Sequence, residues 1–273
     1  KVRRNNIKLR LSFFLALTAV LLIVALFADK LTPYDPYLQN YDISFQPPST
    51  EHWMGTDRYG RDLFSRVLVG GQASIFSTLA LVAIISVFGT VVGVGCGYFG
   101  GKLDAVVMRI SDVCLAFPGL VFALAVAALL NGGIVNAVIA LAVISWPKYS
   151  RVARSQTLAQ KNSSYVHAAL LAGDTPIQVI SRHVLPNILG PILVTAMLDI
   201  GTMMMELAGL SFLGLGAQPP MAEWGNMMSS GRSMMQVYPW LVLSPGFAIF
   251  VTVAVFNLLG DAVRDDIDPK NSR

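Results

Sequence analysis

Two carboxylates stand in an otherwise uncharged apolar run. Asp199 and Glu206 lie within Asn187–Leu207, seven residues apart, which puts them on one helix face with Met203 between them. Acids at membrane depth are costly and usually face a bundle interior or a wet cavity. This trio therefore suits a pathway lining that attracts a cation or a peptide amino group. The competing placement sets Glu206 at the outer interface and pairs Asp199 with a neighbouring helix. Methionines crowd the stretch between Met197 and Met235. Their thioethers are soft metal ligands and equally the adaptable filler of apolar surfaces. His52, His167 and His183 are scattered, and Cys96 and Cys114 have neither metal nor disulfide spacing. No Walker motif, HExxH or Gly-x-Ser-x-Gly occurs, so the chain is not expected to hydrolyse ATP or to be an enzyme.

A second group of residues is suited to docking rather than to chemistry. In Ser164–Pro186, SYVHAALLAGDTPIQVISRHVLP, Ser164 is a candidate cap and Gly173 is the residue type that ends a helix left-handed. Tyr165, Ala168, Ala169 and Ala172 recur at i, i+3, i+4 and i+7, a narrow face of small residues. Thr175–Pro176 is an N-cap followed by an N1 proline, opening a second helix. Arg182 and His183 fall in its last turn, where cations suit the helix dipole, and Pro186 stops or kinks it. A short helix with a flat alanine face buries little of its own core but fits a groove on another protein.

These groups must be positioned by membrane-crossing elements. Of 273 residues, 54% are hydrophobic and 13% charged, against roughly 25% charged in soluble domains. Leu11–Ala28 is long enough to span and too long for a signal-peptide core, and it lacks a good cleavage site. Asp29–Gly71 follows as a polar loop, then Ala73–Tyr98 as a second span, in which Gly89, Gly93 and Gly97 invite close approach by another helix. Gly100–Asp112 is expected as a short polar connection. Leu115–Leu130 is a third span, kinked or started by Pro118, and Ile134–Trp146 a fourth that continues through Pro147. Asn187–Leu207 is the fifth and Trp240–Leu259 the sixth, with Ser211–Tyr238 a second outer loop. The organisation expected is a tail and first span over 1–28, an extracytoplasmic loop over 29–72 and a five-helix core over 73–273 that carries the 164–186 element. Six spans put both termini on one side. That side holds 15 of the 20 lysines and arginines, so the termini and the 164–186 element are expected in the cytoplasm. The chain does not begin with Met, and further N-terminal sequence is expected ahead of it.

The 164–186 spacing resembles the cytoplasmic coupling motif of ABC-importer permeases: Glu-Ala-Ala, three residues, Gly, nine residues, Ile, one residue, Leu-Pro. Ala168, Ala169, Gly173, Leu185 and Pro186 fall on it, while His167 replaces the Glu and His183 the Ile. Gly55–Arg66, GTDRYGRDLFSR, is similar to the GTDxxGRDxxSR signature of the peptide/nickel branch. Its Asp57, Arg58, Arg61, Asp62 and Arg66 are candidates for an ion-pair network that stiffens the outer loop. Leu207–Pro220 and Asn257–Pro269 resemble the same branch, and Leu198–Gly216 looks closest to its nickel-type member.

The resemblance implies an all-α integral membrane protein with six transmembrane helices, the type I ABC importer permease fold, in a bacterial or archaeal cell (inner) membrane. It implies a homologous second permease, two cytoplasmic ATPases holding the ATP and Mg, and an extracytoplasmic binding protein seated on the two outer loops. Neither nucleic acid nor a cofactor in this chain is expected. Tyr165, His167, Ala168, Ala169, Gly173, Leu185 and Pro186 would meet the ATPase. The cargo expected is nickel, free or chelated, or small peptides, with a strictly di-/oligopeptide permease as the alternative. Two rivals lie outside transport: an intramembrane enzyme, for which Asp199 and Glu206 are the only candidate groups, and a non-transporting scaffold.

Overall fold

The computed structural model describes the backbone of residues 2–267 and side chains from residue 7 onward. Lys1 and 268–273, the end of the expected tail with Pro269 and three of its residues' charges, lie outside the described residues. Eleven α-helices run through the described chain: α1 (Val2–Leu26), α2 (Ala28–Leu31), α3 (Leu63–Phe99), α4 (Gly101–Ala116), α5 (Gly119–Leu129), α6 (Ile134–Lys161), α7 (Ser164–Leu171), α8 (Pro176–Val179), α9 (Leu185–Phe212), α10 (Trp224–Gly231) and α11 (Trp240–Ile267). No strand occurs among the described residues.

The centre of the molecule is the pair α3 and α6, packed along the glycine stripe that the sequence marks. A methyl group on Gly89 would lie 2.5 Å from the Trp146 carbonyl oxygen, one on Gly93 2.2 Å from that of Ser150, and one on Gly97 2.8 Å from Cβ of Thr157. No side chain fits there, so the two backbones touch. α9 packs against both helices, α11 packs on α9, and α1 lies outermost on α11, with few buried residues.

Several boundaries differ from expectation. α3 begins at Leu63, inside the stretch expected as loop, because Asp62 caps it by accepting from the Ser65 amide at 2.7 Å. At 37 residues it is about 55 Å long, well beyond the ~30 Å apolar thickness of a bilayer. The expected polar connection 100–112 is helical. It turns off α3 through Gly100 and Gly101, both with φ of +67°, a conformation open to glycine. The third span is thereby broken: α4 and α5 meet at 95° across Phe117–Pro118, where proline cannot donate a helical hydrogen bond. α6 runs through Pro147 to Lys161. Among the described residues, four helices are long and apolar enough to cross a membrane, or five with the bent α4–α5 pair as one. α6, expected as the fourth span, is 28 residues long but is not among them, and its second half carries Lys148, Arg151, Arg154 and Lys161.

Candidate functional site

α7 and α8 form the expected helix–turn–helix, and local bonds hold it. Ser163 rather than Ser164 stands at the N-cap, without a side-chain capping bond. Gly173 takes φ +96°, and the Asp174 amide donates to the Ala169 carbonyl while the Gly173 amide donates to that of Leu170, which together make a Schellman ending. Thr175 and Gln178 form a capping box at the start of α8. A single π turn, Ile180–Val184, then joins α8 to α9 without a stop. The wide turn accommodates Pro186, whose ring would otherwise press on the preceding turn.

The expected alanine face divides. Val166 and Ala169 are buried against the chain itself, while Tyr165, His167, Ala168, Ala172 and Gly173 are exposed; Leu185 is half-buried and Pro186 exposed. The outward apolar groups are larger than alanine: Leu171 is 90% exposed and Ile177 75%. The two histidines that depart from the motif both act locally. His167 Nδ1 donates to the Ser163 carbonyl at 2.9 Å. His183 Nε2 donates to Asp174 Oδ2 at 3.0 Å, tying the π turn to the end of α7. Asn187 donates to the Tyr165 hydroxyl at 3.3 Å and to the His183 carbonyl at 2.6 Å.

On α9, Asp199 and Met203 are buried and Glu206 is half-buried. Asp199 is fully engaged by α6: Lys148 Nζ donates to one carboxylate oxygen at 2.6 Å and the Tyr149 hydroxyl to the other at 3.0 Å. Lys148 and Tyr149 were not singled out from the sequence. Their signal is a lysine directly after an apolar run, WPKYSR, at the depth of an acid on another helix. The methionines do not converge: Met203, Met204 and Met227 are core residues, while Met205, Met234 and Met235 are exposed. No three His, Cys, Asp or Glu side chains come together to hold a metal among the described residues.

The two long loops, 32–62 and 213–239, fold over the start of α3. Asp57 accepts from Arg61 Nε at 2.7 Å and from the Tyr59 and Arg61 amides, closing the GTDRYGRD turn. Asp62 accepts from His52 Nδ1 at 2.9 Å and from the Ser65 hydroxyl at 2.7 Å. Arg66 donates to the carbonyls of Pro36 at 2.9 Å and Pro220 at 3.4 Å, one in each loop. Arg58 stands outside the network, over the Tyr59 ring. The second loop is pinned by Glu223, 1% exposed, which accepts from the Ser74 hydroxyl and from the amides of Gly225 and Asn226. Trp224 lies across Gly70 and Gly71 and donates to the Val67 carbonyl at 2.9 Å. These contacts tie the two loops to the start of α3 and, through Arg66, to each other.

Comparison with known proteins assigns the arrangement. Residues 89–273 match the family model described as binding-protein-dependent transport system inner membrane component. The chain belongs to that family. Among curated members, this inner membrane component is 44% identical over 251 residues to the probable D,D-dipeptide transport system permease protein DdpC of Escherichia coli (strain K12), covering 92% of this chain and 84% of that one. It is 43% identical over 272 residues to the glutathione transport system permease protein GsiD of Escherichia coli O6:K15:H31 (strain 536 / UPEC), covering 99% and 88%. It is 42% identical over 249 residues to the dipeptide transport system permease protein DppC of Alkalihalophilus pseudofirmus (strain ATCC BAA-2126 / JCM 17055 / OF4), covering 91% and 82%. Its fold is similar to a chain of the inward-facing MetNI methionine ABC transporter, with a TM-score of 0.55 at 19% identity over 71% of this chain and 95% of that one. A chain of an amino acid ABC transporter gives 0.51 at 18% identity, covering 73% and 92%. The inner membrane component is therefore a permease subunit of an ABC importer with the type I fold. It is not itself catalytic; ATP hydrolysis belongs to partner subunits.

Proposed function

We propose that this permease subunit forms half of a pathway for short peptides. The observation that carries the reading is that relatives at 42–44% identity over nearly the whole chain are named for dipeptide, D,D-dipeptide and glutathione transport. That favours the peptide alternative over nickel. Both termini and α7–α8 face the cytoplasm, in keeping with the lysine and arginine distribution. There the exposed Leu171 and Ile177, with Tyr165, His167, Ala168 and Gly173 around them, seat in a groove of a partner ATPase, which holds the ATP and Mg. Ala169, Leu185 and Pro186 fix the shape of the element from behind. On the other side the pinned loops 29–62 and 213–239 receive the binding protein. Asp199, Met203 and Glu206 flank the pathway between this chain and a homologous permease. ATP-driven closure of the ATPases moves α7–α8, and α6 and α9 move with it.

The test is ATPase activity of the reconstituted complex, with its binding protein loaded in turn with a dipeptide, glutathione, nickel or a nickel chelate. Stimulation by peptide or glutathione alone is the expected result. Stimulation by nickel species alone would return the nickel reading, and no stimulation by any ligand would leave a scaffold.

A further inference from the structure

Asp199 and Glu206 share a helix face but differ in what they have left to offer. Both oxygens of Asp199 are occupied, by Lys148 and Tyr149. Glu206 has no hydrogen-bonding or ion-pairing partner among the described residues, although it is half-buried on an apolar span. A carboxylate in that setting needs a cation to meet it. Lys148 is the complement. Its side chain is 51% exposed and makes one hydrogen bond, to Asp199, of the three an ammonium can donate. Glu206 lies two turns from Asp199 on the same face of α9. A carboxylate without a hydrogen-bonding partner among the described residues and a lysine paired at only one oxygen of Asp199 therefore lie on neighbouring helices, α9 and α6.

We propose that Lys148 and Glu206 are the two poles of a subsite for a short zwitterionic peptide, Lys148 receiving the terminal carboxylate and Glu206 the terminal ammonium. The proposal rests on the peptide reading above. Seven residues of helix separate Asp199 from Glu206 by about 10 Å at about 1.5 Å per residue, and Lys148 Nζ is 2.6 Å from Asp199. An extended di- or tripeptide spans about 7–11 Å at roughly 3.3–3.6 Å per residue. Asp199 is a positioning residue here: it cancels the charge of Lys148 without a substrate and, with Tyr149, fixes the lysine at the α6–α9 seam.

The experiment measures binding of radiolabelled trialanine, N-acetyl-trialanine and trialanine amide to the whole transporter complex, in detergent and without its binding protein. Three forms are compared: wild type, Glu206→Gln, and Lys148→Met combined with Asp199→Asn, which removes the charged pair as a unit and leaves no buried charge behind. The expected pattern is a loss on the order of tenfold for trialanine on Glu206→Gln and no loss for N-acetyl-trialanine, as befits one charge-assisted contact. The double variant loses the same order for trialanine and nothing for the amide. Equal losses for free and blocked peptides, no loss in either variant, or no trialanine binding to wild type at millimolar concentration each overturn the proposal. Elution of each variant as an intact complex separates lost contacts from lost folding. If peptide-loaded binding protein still stimulates the wild-type ATPase, a failure here falls on the two poles alone; if no peptide stimulates it, the peptide reading itself falls.

Discussion

Gly173 and Glu223 carry more of the structure than their neighbours. A methyl group on Gly173 would meet nothing within 4 Å, so Gly173→Ala introduces strain at φ +96° and no clash. The cost is about 1–2 kcal/mol, borne by the turn between α7 and α8. The variant is expected to assemble in the membrane at normal abundance yet import poorly, with the ATPase uncoupled from transport; uptake and ATPase assays on one preparation check this. Glu223→Ala acts oppositely. It leaves the Ser74 hydroxyl and two amides without their acceptor, at a cost of about 3 kcal/mol or more, and its expected sign is a lowered unfolding temperature in detergent. Gly173 and the Thr175–Pro176 cap were legible from the sequence because their chemistry is local. Lys148 and Tyr149 were not, because nothing in WPKYSR states that Asp199, some fifty residues on, lies opposite.

For the elements, the seam between α3 and α6 gives the sharpest contrast. Gly93→Ala would place a methyl group 2.2 Å from the Ser150 carbonyl oxygen, whereas the same change at Gly95 meets nothing within 4 Å. Overpacking at Gly93 should cost on the order of 1–3 kcal/mol or more. Gly95→Ala should be neutral or stabilising by up to about 1 kcal/mol, since alanine loses less freedom in a helix. Thermal unfolding of the two variants side by side checks both signs. The glycine spacing announced this seam. The helicity of 100–112 was hidden, because Lys102, Asp104, Arg109 and Asp112 make the stretch look like a loop. In the fold Asp104 accepts both Arg154 Nε and a terminal nitrogen of Arg154, and Asp112 pairs with Arg151, so those charges lie along α6 while Leu103, Val106, Ile110 and Val113 face outward. Charge pairing between distant helices is what a single-sequence reading does not contain. The early start of α3 was missed for a related reason: its first turns are buried by loops that come from elsewhere in the chain.

Across the whole molecule, hydropathy conveyed the helical membrane class, and the distribution of basic residues gave a sidedness that is open to direct test. With single cysteines on a background lacking Cys96 and Cys114, Ala159→Cys, exposed near the end of α6, should react with a membrane-impermeant thiol reagent only when the cytoplasmic face is opened. Trp53→Cys, 65% exposed in the first outer loop, should react in intact cells. The reverse pattern would invert the orientation proposed above.

α3 reaches from one end of the molecule to the other. Its first turns are held by Asp62, Arg66 and the Trp224 indole, its last by Lys161, which donates to the Tyr98 carbonyl at 2.6 Å. Between them the glycine seam fastens it to α6, and two residues beyond α6 begins α7. A rod fixed in this way has no soft joint at which a displacement could be lost. Coupling through it is reciprocal by thermodynamic necessity: if occupancy of the ATPase changes how firmly the outer loops hold their protein, occupancy of those loops changes the affinity at α7 by the same factor. With the docking proposed above, the subunit would report in both directions, telling the nucleotide side that a loaded carrier has arrived and the carrier that fuel is bound.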